Sequence, residues 1–255
     1  MAKKSIIALS VLFLLFLGTN KVLTINSSPT DKWGKDTPVA EVLTQFGDPL
    51  PDHAAVKTGE EWVNRGRELI FNGYTTGPDG ERTRLQSRHF VCTNCHNMTK
   101  EDPDLRVSDP DKRLSYVNEK GLPFLQATTL YGTVNKTSWY NGDYLLKYGD
   151  LVKPANHSLR EAIHLCAVVC SQGRDFNDWE MDAVLAYLWS IQYKLGDLEL
   201  TEENWELLGQ LQGQRGPNPK MAAGLKTFYR SGSPATFVDA PEDKRAGYAG
   251  VKDGD

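Results

Sequence analysis

Cysteine is scarce in this chain: four in 255 residues, at positions 92, 95, 166 and 170. Positive charge is not in excess either. The net charge is −4 and no basic stripe is present to neutralise phosphates, which excludes a nucleic-acid partner. Weak acidity is compatible with docking to a basic redox partner. The apolar run behind Lys3 and Lys4 covers residues 5–18, fourteen positions, short of the twenty or so that span a bilayer comfortably. Lysines directly ahead of the run argue against a buried core helix. No cysteine follows it, which excludes lipoprotein attachment, and no small-x-small cleavage site stands out. Residues 1–25 are expected to be a signal peptide or a retained N-terminal anchor. The protein is then periplasmic, soluble or tethered, with membrane contact only through this segment.

Two of the scarce cysteines fall in Cys92-Thr93-Asn94-Cys95-His96. Cys-x-x-Cys-His is the pattern for covalent attachment of a c-type haem. Two thiols three apart reach the two vinyl groups of one porphyrin, and the following imidazole turns onto the iron. One haem c is therefore expected, with thioethers to Cys92 and Cys95 and His96 as proximal ligand. The competing reading is a zinc site completed by Cys166 and Cys170. Neither reading makes the second cysteine pair an obvious disulfide, because adjacent helical turns supply the required separation and torsion poorly.

The rest of the chain is read by pattern. Residues 26–57 contain Pro, Asp and Thr without sustained periodicity and read as an extended tether. From residue 58, Trp62, Gly66, Leu69 and Ile70 mark one face of an amphipathic helix that Gly73 ends. Gly66 weakens such a helix, so it marks a close approach by another one. Residues 97–157 form a long insert rich in turn formers that also carries Tyr131, Trp139, Tyr140, Tyr144 and Tyr148. Structureless loops of this length are uncommon in compact domains, so short helices and an aromatic lining are expected. Ser158 and Glu161 are a capping box for a helix whose stripe is Leu159, Ala162, Ile163, Cys166, Val169 and Cys170. Asn177 with Glu180 opens another, with Met181, Val184, Leu185, Leu188 and Ile191 on one face. Residues 202–211 suggest one more helix, and beyond residue 213 the chain reads as a poorly structured tail.

On these residues the chain resembles the cytochrome c family. Gly66-Arg67-Glu68-Leu69-Ile70-Phe71 is similar to that family's Gly-x-x-Leu-aromatic helix, with the aromatic one place late. Ala186-Tyr187-Leu188 is similar to the last helix that crosses it at the glycine. The resemblance covers about residues 58–195. It implies an all-α, cytochrome c-like haem domain over residues 58–200, with residues 201–255 a short helix plus tail, or the lead-in to a second module. It further implies single-electron transfer with other redox proteins.

A haem held by His96 has one more axial position, whose occupant decides between electron transfer and chemistry. Methionine is as scarce as cysteine, with four: Met1, Met98, Met181 and Met221. Met98 is too close to His96 to circle the porphyrin edge, Met181 reads as core, and Met221 lies in the tail. The run from Glu161 to Cys166, then Gly173, then Glu180 to Leu188, resembles thiosulfate dehydrogenases, which, like the haem subunit of the Sox sulfur-oxidising complex, use a distal cysteine. Carried over by position, that ligand is Cys166, with Cys170 or Met181 as alternatives and His157 behind them. The resemblance implies a second possible activity, oxidation of small inorganic sulfur compounds. It departs at Cys170-Ser171-Gln172-Gly173, where those enzymes have Ser-Met-Asn-Gly, in the longer insert, and in the missing second haem motif. Arg160 and Arg174 have the geometry to pair with haem propionates, though for each a surface ion pair is the better reading.

Overall fold

A computed structural model describes residues 32–106, 109–140, 144–214 and 216–230. The signal or anchor segment at 1–25, and the tail from residue 231, lie outside these. The described residues are helical: α1 (Val39–Gln45), α2 (Glu60–Asn72), α3 (Pro110–Lys120), α4 (Tyr144–Tyr148), α5 (Val152–His157), α6 (Leu159–Leu165), α7 (Asp178–Ser190), α8 (Glu202–Leu211) and α9 (Pro219–Lys226), joined by short 3₁₀ turns. Among them, β-type pairing is limited to two isolated bridges, Pro38 with Lys194 and Thr76 with Arg82. No described helix is long and apolar enough to cross a membrane.

The central packing is α2 against α7. Leu69 and Ile70 of α2 are fully buried with Met181, Val184, Leu185 and Leu188 of α7. Burial of each large aliphatic side chain stabilises by roughly 1.5–3 kcal/mol. The two backbones meet at Gly66, where an added Cβ would lie 1.9 Å from the Ala183 carbonyl oxygen and 2.9 Å from Tyr187 Cβ. Both are fixed atoms of a buried helix, so Gly66→Ala must push the helices apart. We expect a loss of about 2–3 kcal/mol, read as a lower urea midpoint at unchanged slope. An unaffected midpoint would mean that the helices do not cross here. Phe71, one place late in the sequence pattern, still packs edge-on against Tyr187 at 6.1 Å between centroids.

Caps set the ends of these helices. Asn177 Oδ1 accepts from Glu180 N at 3.0 Å, and Glu180 Oε2 accepts from Asn177 N at 3.0 Å. Glu180 is buried and also receives both terminal nitrogens of Arg174. Ser158 caps α6 through Glu161 N at 3.3 Å, without the return bond that a full box would have. Gly73 closes α2 in the left-handed conformation, φ 74°.

Two expectations need correction. The stretch 26–57 is not an extended tether throughout, because 39–45 is helical. The chain beyond 200 is not only a short helix and tail, because α9 follows α8. Val39, Val42, Leu43 and Phe46 recur at helical spacing, and α1 buries them against Tyr193, Leu195, Leu208, Ala222, Leu225 and Tyr229. Backbone bonds tie the lobe together: Val39 N to Tyr193 O at 2.9 Å, and Asn218 N to Phe46 O at 2.8 Å. Lys226 pairs with Asp48. A seven-residue helix behind Pro38 offers too little periodicity to stand out, and its stability comes from distant partners.

Candidate functional site

Cys92-Thr93-Asn94 is a single 3₁₀ turn. Asn94 Oδ1 accepts from Val91 N at 2.8 Å, and His96 N donates to Cys92 O at 3.0 Å. The turn brings both thiols and the imidazole to the wall of a cavity of about 620 Å³, within the ordinary range for a small-molecule or cofactor site. Ile70, Val184 and Leu188 from the α2–α7 core form part of its apolar lining. All five aromatics of the insert (Tyr131, Trp139, Tyr140, Tyr144 and Tyr148) also line it, as the sequence suggested.

His96 Nδ1 donates to the Thr128 carbonyl at 2.6 Å. A carbonyl only accepts, so the proton sits on Nδ1 and the free lone pair on Nε2, the arrangement that suits a metal ligand. Burial holds the His96 pKa below its ordinary value, with the Thr128 carbonyl opposing, and keeps the ring neutral. Burial pushes the Cys92 thiol up to about 11.

The carbonyl at Thr128 is itself fixed by a buried network that sequence reasoning missed. Glu101, fully buried, accepts from Thr129 N at 2.5 Å and Asn97 Nδ2 at 2.6 Å, and pairs with Arg113 Nε at 2.8 Å. Arg113 Nη2 donates to the carbonyls of Leu125 and Ala127, each at 2.7 Å. One carboxylate thus holds both flanks of the segment that orients His96.

The second cysteine pair lies on the same cavity. α6 does not end at Cys166. It widens into a π-helical turn, Cys166–Cys170, in which Ser171 N donates to Cys166 O at 2.8 Å. Such turns recur at functional sites. Gln86 braces this one: its Nε2 donates to Ala167 O and Arg174 O, both at 2.9 Å, and its backbone leaves no room for a Cβ on Gly173. Cys166 and Cys170 both line the cavity and are free thiols. Their mutual influence pushes the two apart: proximity to Cys170, then burial, raises the pKa of Cys166, while proximity to Cys166 lowers that of Cys170. Tyr140 Oη lies 3.7 Å from Cys170 Sγ and Tyr148 Oη 4.0 Å. Tyr140 reaches this position from a left-handed backbone, φ 53°, an outlier for a bulky residue and a conformation that clusters at functional sites.

The remaining sequence candidates fall elsewhere. Met181 is buried in the α2–α7 core and does not line the cavity. Met98 and Met221 pack against the edges of separate apolar clusters. His157 is exposed, and His164 pairs with Asp175 at 2.7 Å. Arg160 and Arg174 are engaged with Asp182 and Glu180 and do not line the cavity. The cations that do are Lys100, Arg106, Lys136 and Arg230. Among the described residues, no group of three or more His, Cys, Asp or Glu side chains gathers closely enough to hold a metal ion alone, so the four cysteines do not form the alternative zinc site. Comparisons with protein families, with curated proteins and with solved structures give no match for this chain.

Proposed function

We propose that the chain is an exported c-type cytochrome that carries one haem in this cavity and passes single electrons to other redox proteins. One observation carries the reading. Cys92, Cys95, His96 and Cys166 meet on one largely apolar cavity, with the His96 lone pair free on Nε2. The donor set fits the group: two thiols at the attachment spacing, a neutral imidazole oriented by a carbonyl, and a further thiol within the same space. The crossing of α2 and α7 at Gly66 supports the likeness to the cytochrome c family. When bound, the haem supplies a one-electron iron couple. The chain's part is to hold it covalently through Cys92 and Cys95, orient His96, offer Cys166 to the distal position, and exclude water with the insert's aromatics.

A second reading, a sulfur-compound oxidoreductase, draws on Cys170. A distal ligand needs one thiol, and a second one beside it, approached by two tyrosine hydroxyls, is what a thiophilic substrate would meet. Thiosulfate-dependent reduction of the purified haem protein supports this reading; no reduction at any concentration leaves the electron carrier.

The deciding experiment is whole-protein mass spectrometry after export from a host that attaches c-type haem. The expected result is a mass gain of one haem in the wild type and none in the Cys92→Ser, Cys95→Ser double variant. A colourless protein of unmodified mass, with or without bound zinc, ends the proposal.

A further inference from the structure

A group of side chains on the cavity wall is not explained by holding iron. Lys136 lines the cavity, and desolvation lowers its pKa, with Asp102 and Glu101 opposing. It makes no ion pair with a described residue, since Glu101 is taken by Arg113, Asn97 and Thr129. Arg230 Nε donates to the carbonyl of Asn135 at 3.3 Å, so this second cation sits beside the backbone of Lys136. Its guanidinium lies 5.4 Å from the ring of Tyr229. Tyr229 is 2 % exposed and lines the cavity; among the described residues its hydroxyl has no hydrogen-bond partner at normal distance, although Arg230 is near enough to oppose the rise that burial gives its pKa. A half-buried cation without an ion pair and a buried hydroxyl without a partner are each costly unless something accepts from them. Three acids line the cavity: Glu101 is held by Arg113 and Asp104 by Arg106. Asp102 is the one without an ion pair among the described residues; one of its oxygens is buried with no described partner, and burial first, then Glu101, pushes its pKa up to about 6. It opposes an anion, against two cations and a hydroxyl that favour one.

We propose that Lys136, Tyr229 and Arg230 receive anionic oxygen in this cavity, and that its source is the pair of carboxylates on the porphyrin. This rests on the haem reading above and replaces Arg160 and Arg174, which the fold has already paired. It also gives the lobe built by α1, α8 and α9 a role at the site, although that lobe lies outside the part of the chain resembling cytochromes. A free oxyanion has the same chemistry, and the experiment separates the two sources.

The test compares wild type with Tyr229→Phe, Lys136→Met and Lys136→Arg, each carrying its covalent haem as verified by mass. Midpoint potentials are measured in buffer free of oxyanions, then with added sulfate or thiosulfate. The propionate bending band is followed by resonance Raman spectroscopy. Removing the Lys136 charge favours the ferric state. Reduction should become about tenfold less favourable, close to 59 mV for one electron, and Lys136→Arg should restore most of it. Tyr229→Phe changes no charge, so a shifted propionate band in that variant reports direct contact and not a general field. Unchanged bands in both Tyr229→Phe and Lys136→Met overturn the proposal. Equally, an effect seen only with added anion assigns the site to a free oxyanion and overturns the porphyrin source. A wild type with no attached haem would overturn the parent reading as well, and the mass reports that failure independently of the potentials and bands.

Discussion

Replacing Glu101 by leucine is expected to destabilise the protein by about 3–5 kcal/mol, the range for removing one partner of a buried ion pair. The size follows from what is left behind. Arg113, 5 % exposed, would keep its charge with only the carbonyls of Leu125 and Ala127 to accept from it. Asn97 Nδ2 and Thr129 N would also lose the acceptor they share. Adding Arg113→Met should recover a substantial part, because an apolar pair of similar volume leaves no buried charge uncompensated. Urea unfolding of the two variants measures both quantities. A single-variant loss below about 1 kcal/mol would place the pair in water and contradict the burial described here. The damage should also reach the site. The segment braced by Glu101 carries the Thr128 carbonyl, and His96 depends on that carbonyl for its proton position.

The second large effect is expected at the paired thiols. In the haem-loaded protein, Cys166→Ala should abolish the narrow low-spin paramagnetic resonance spectrum of a thiolate-ligated ferric haem, and Cys170→Ala should leave it in place. The haem potential should rise in the first variant, since a strongly donating ligand has been removed. Both thiols line the cavity, but their settings differ. Cys166 follows the end of α6, whose Leu159, Ala162 and Ile163 line the wall, and is the more deeply buried thiol; Tyr140 neighbours both, whereas Cys170 alone is also within reach of Tyr148. Loss of the spectrum in Cys170→Ala alone would exchange the two roles. Retention in both would remove sulfur from the distal position altogether.

Part of this site was legible in the linear chain because its chemistry is local. Cys92, Cys95 and His96 lie within five consecutive residues, so one short turn brings them together. The stripe from Leu159 to Cys170 follows helical periodicity, and Gly66 announces a close crossing because no other residue lacks a Cβ. The aromatic lining of the insert could be anticipated because so many large rings must pack against something. Periodicity puts Met181 on the face that meets α2, and there it is buried, away from the cavity for which it is an alternative ligand in the sequence.

What the sequence could not reveal depends on atoms without a side-chain signature or on distant pairings. Any residue at position 128 would present the carbonyl that orients His96, so its identity carries no clue. Glu101 and Arg113 look like surface charges until the fold encloses them, and Gln86 looks like a loop amide until its nitrogen meets Ala167 and Arg174 across the chain. The π-helical turn at Cys166–Cys170 differs from an α-helix by one residue of register, which periodicity does not resolve. The lobe of α1 and α9 joins segments more than 170 positions apart, and neither has enough apolar surface to be stable alone. Periodicity and spacing thus marked several of the helices and the thiol–imidazole motif, and the resemblance to cytochromes supplied the all-α expectation that the described residues meet. Which carbonyls, charges and hydroxyls surround that motif was decided only by tertiary packing, because those groups act through position in space and not through order along the chain.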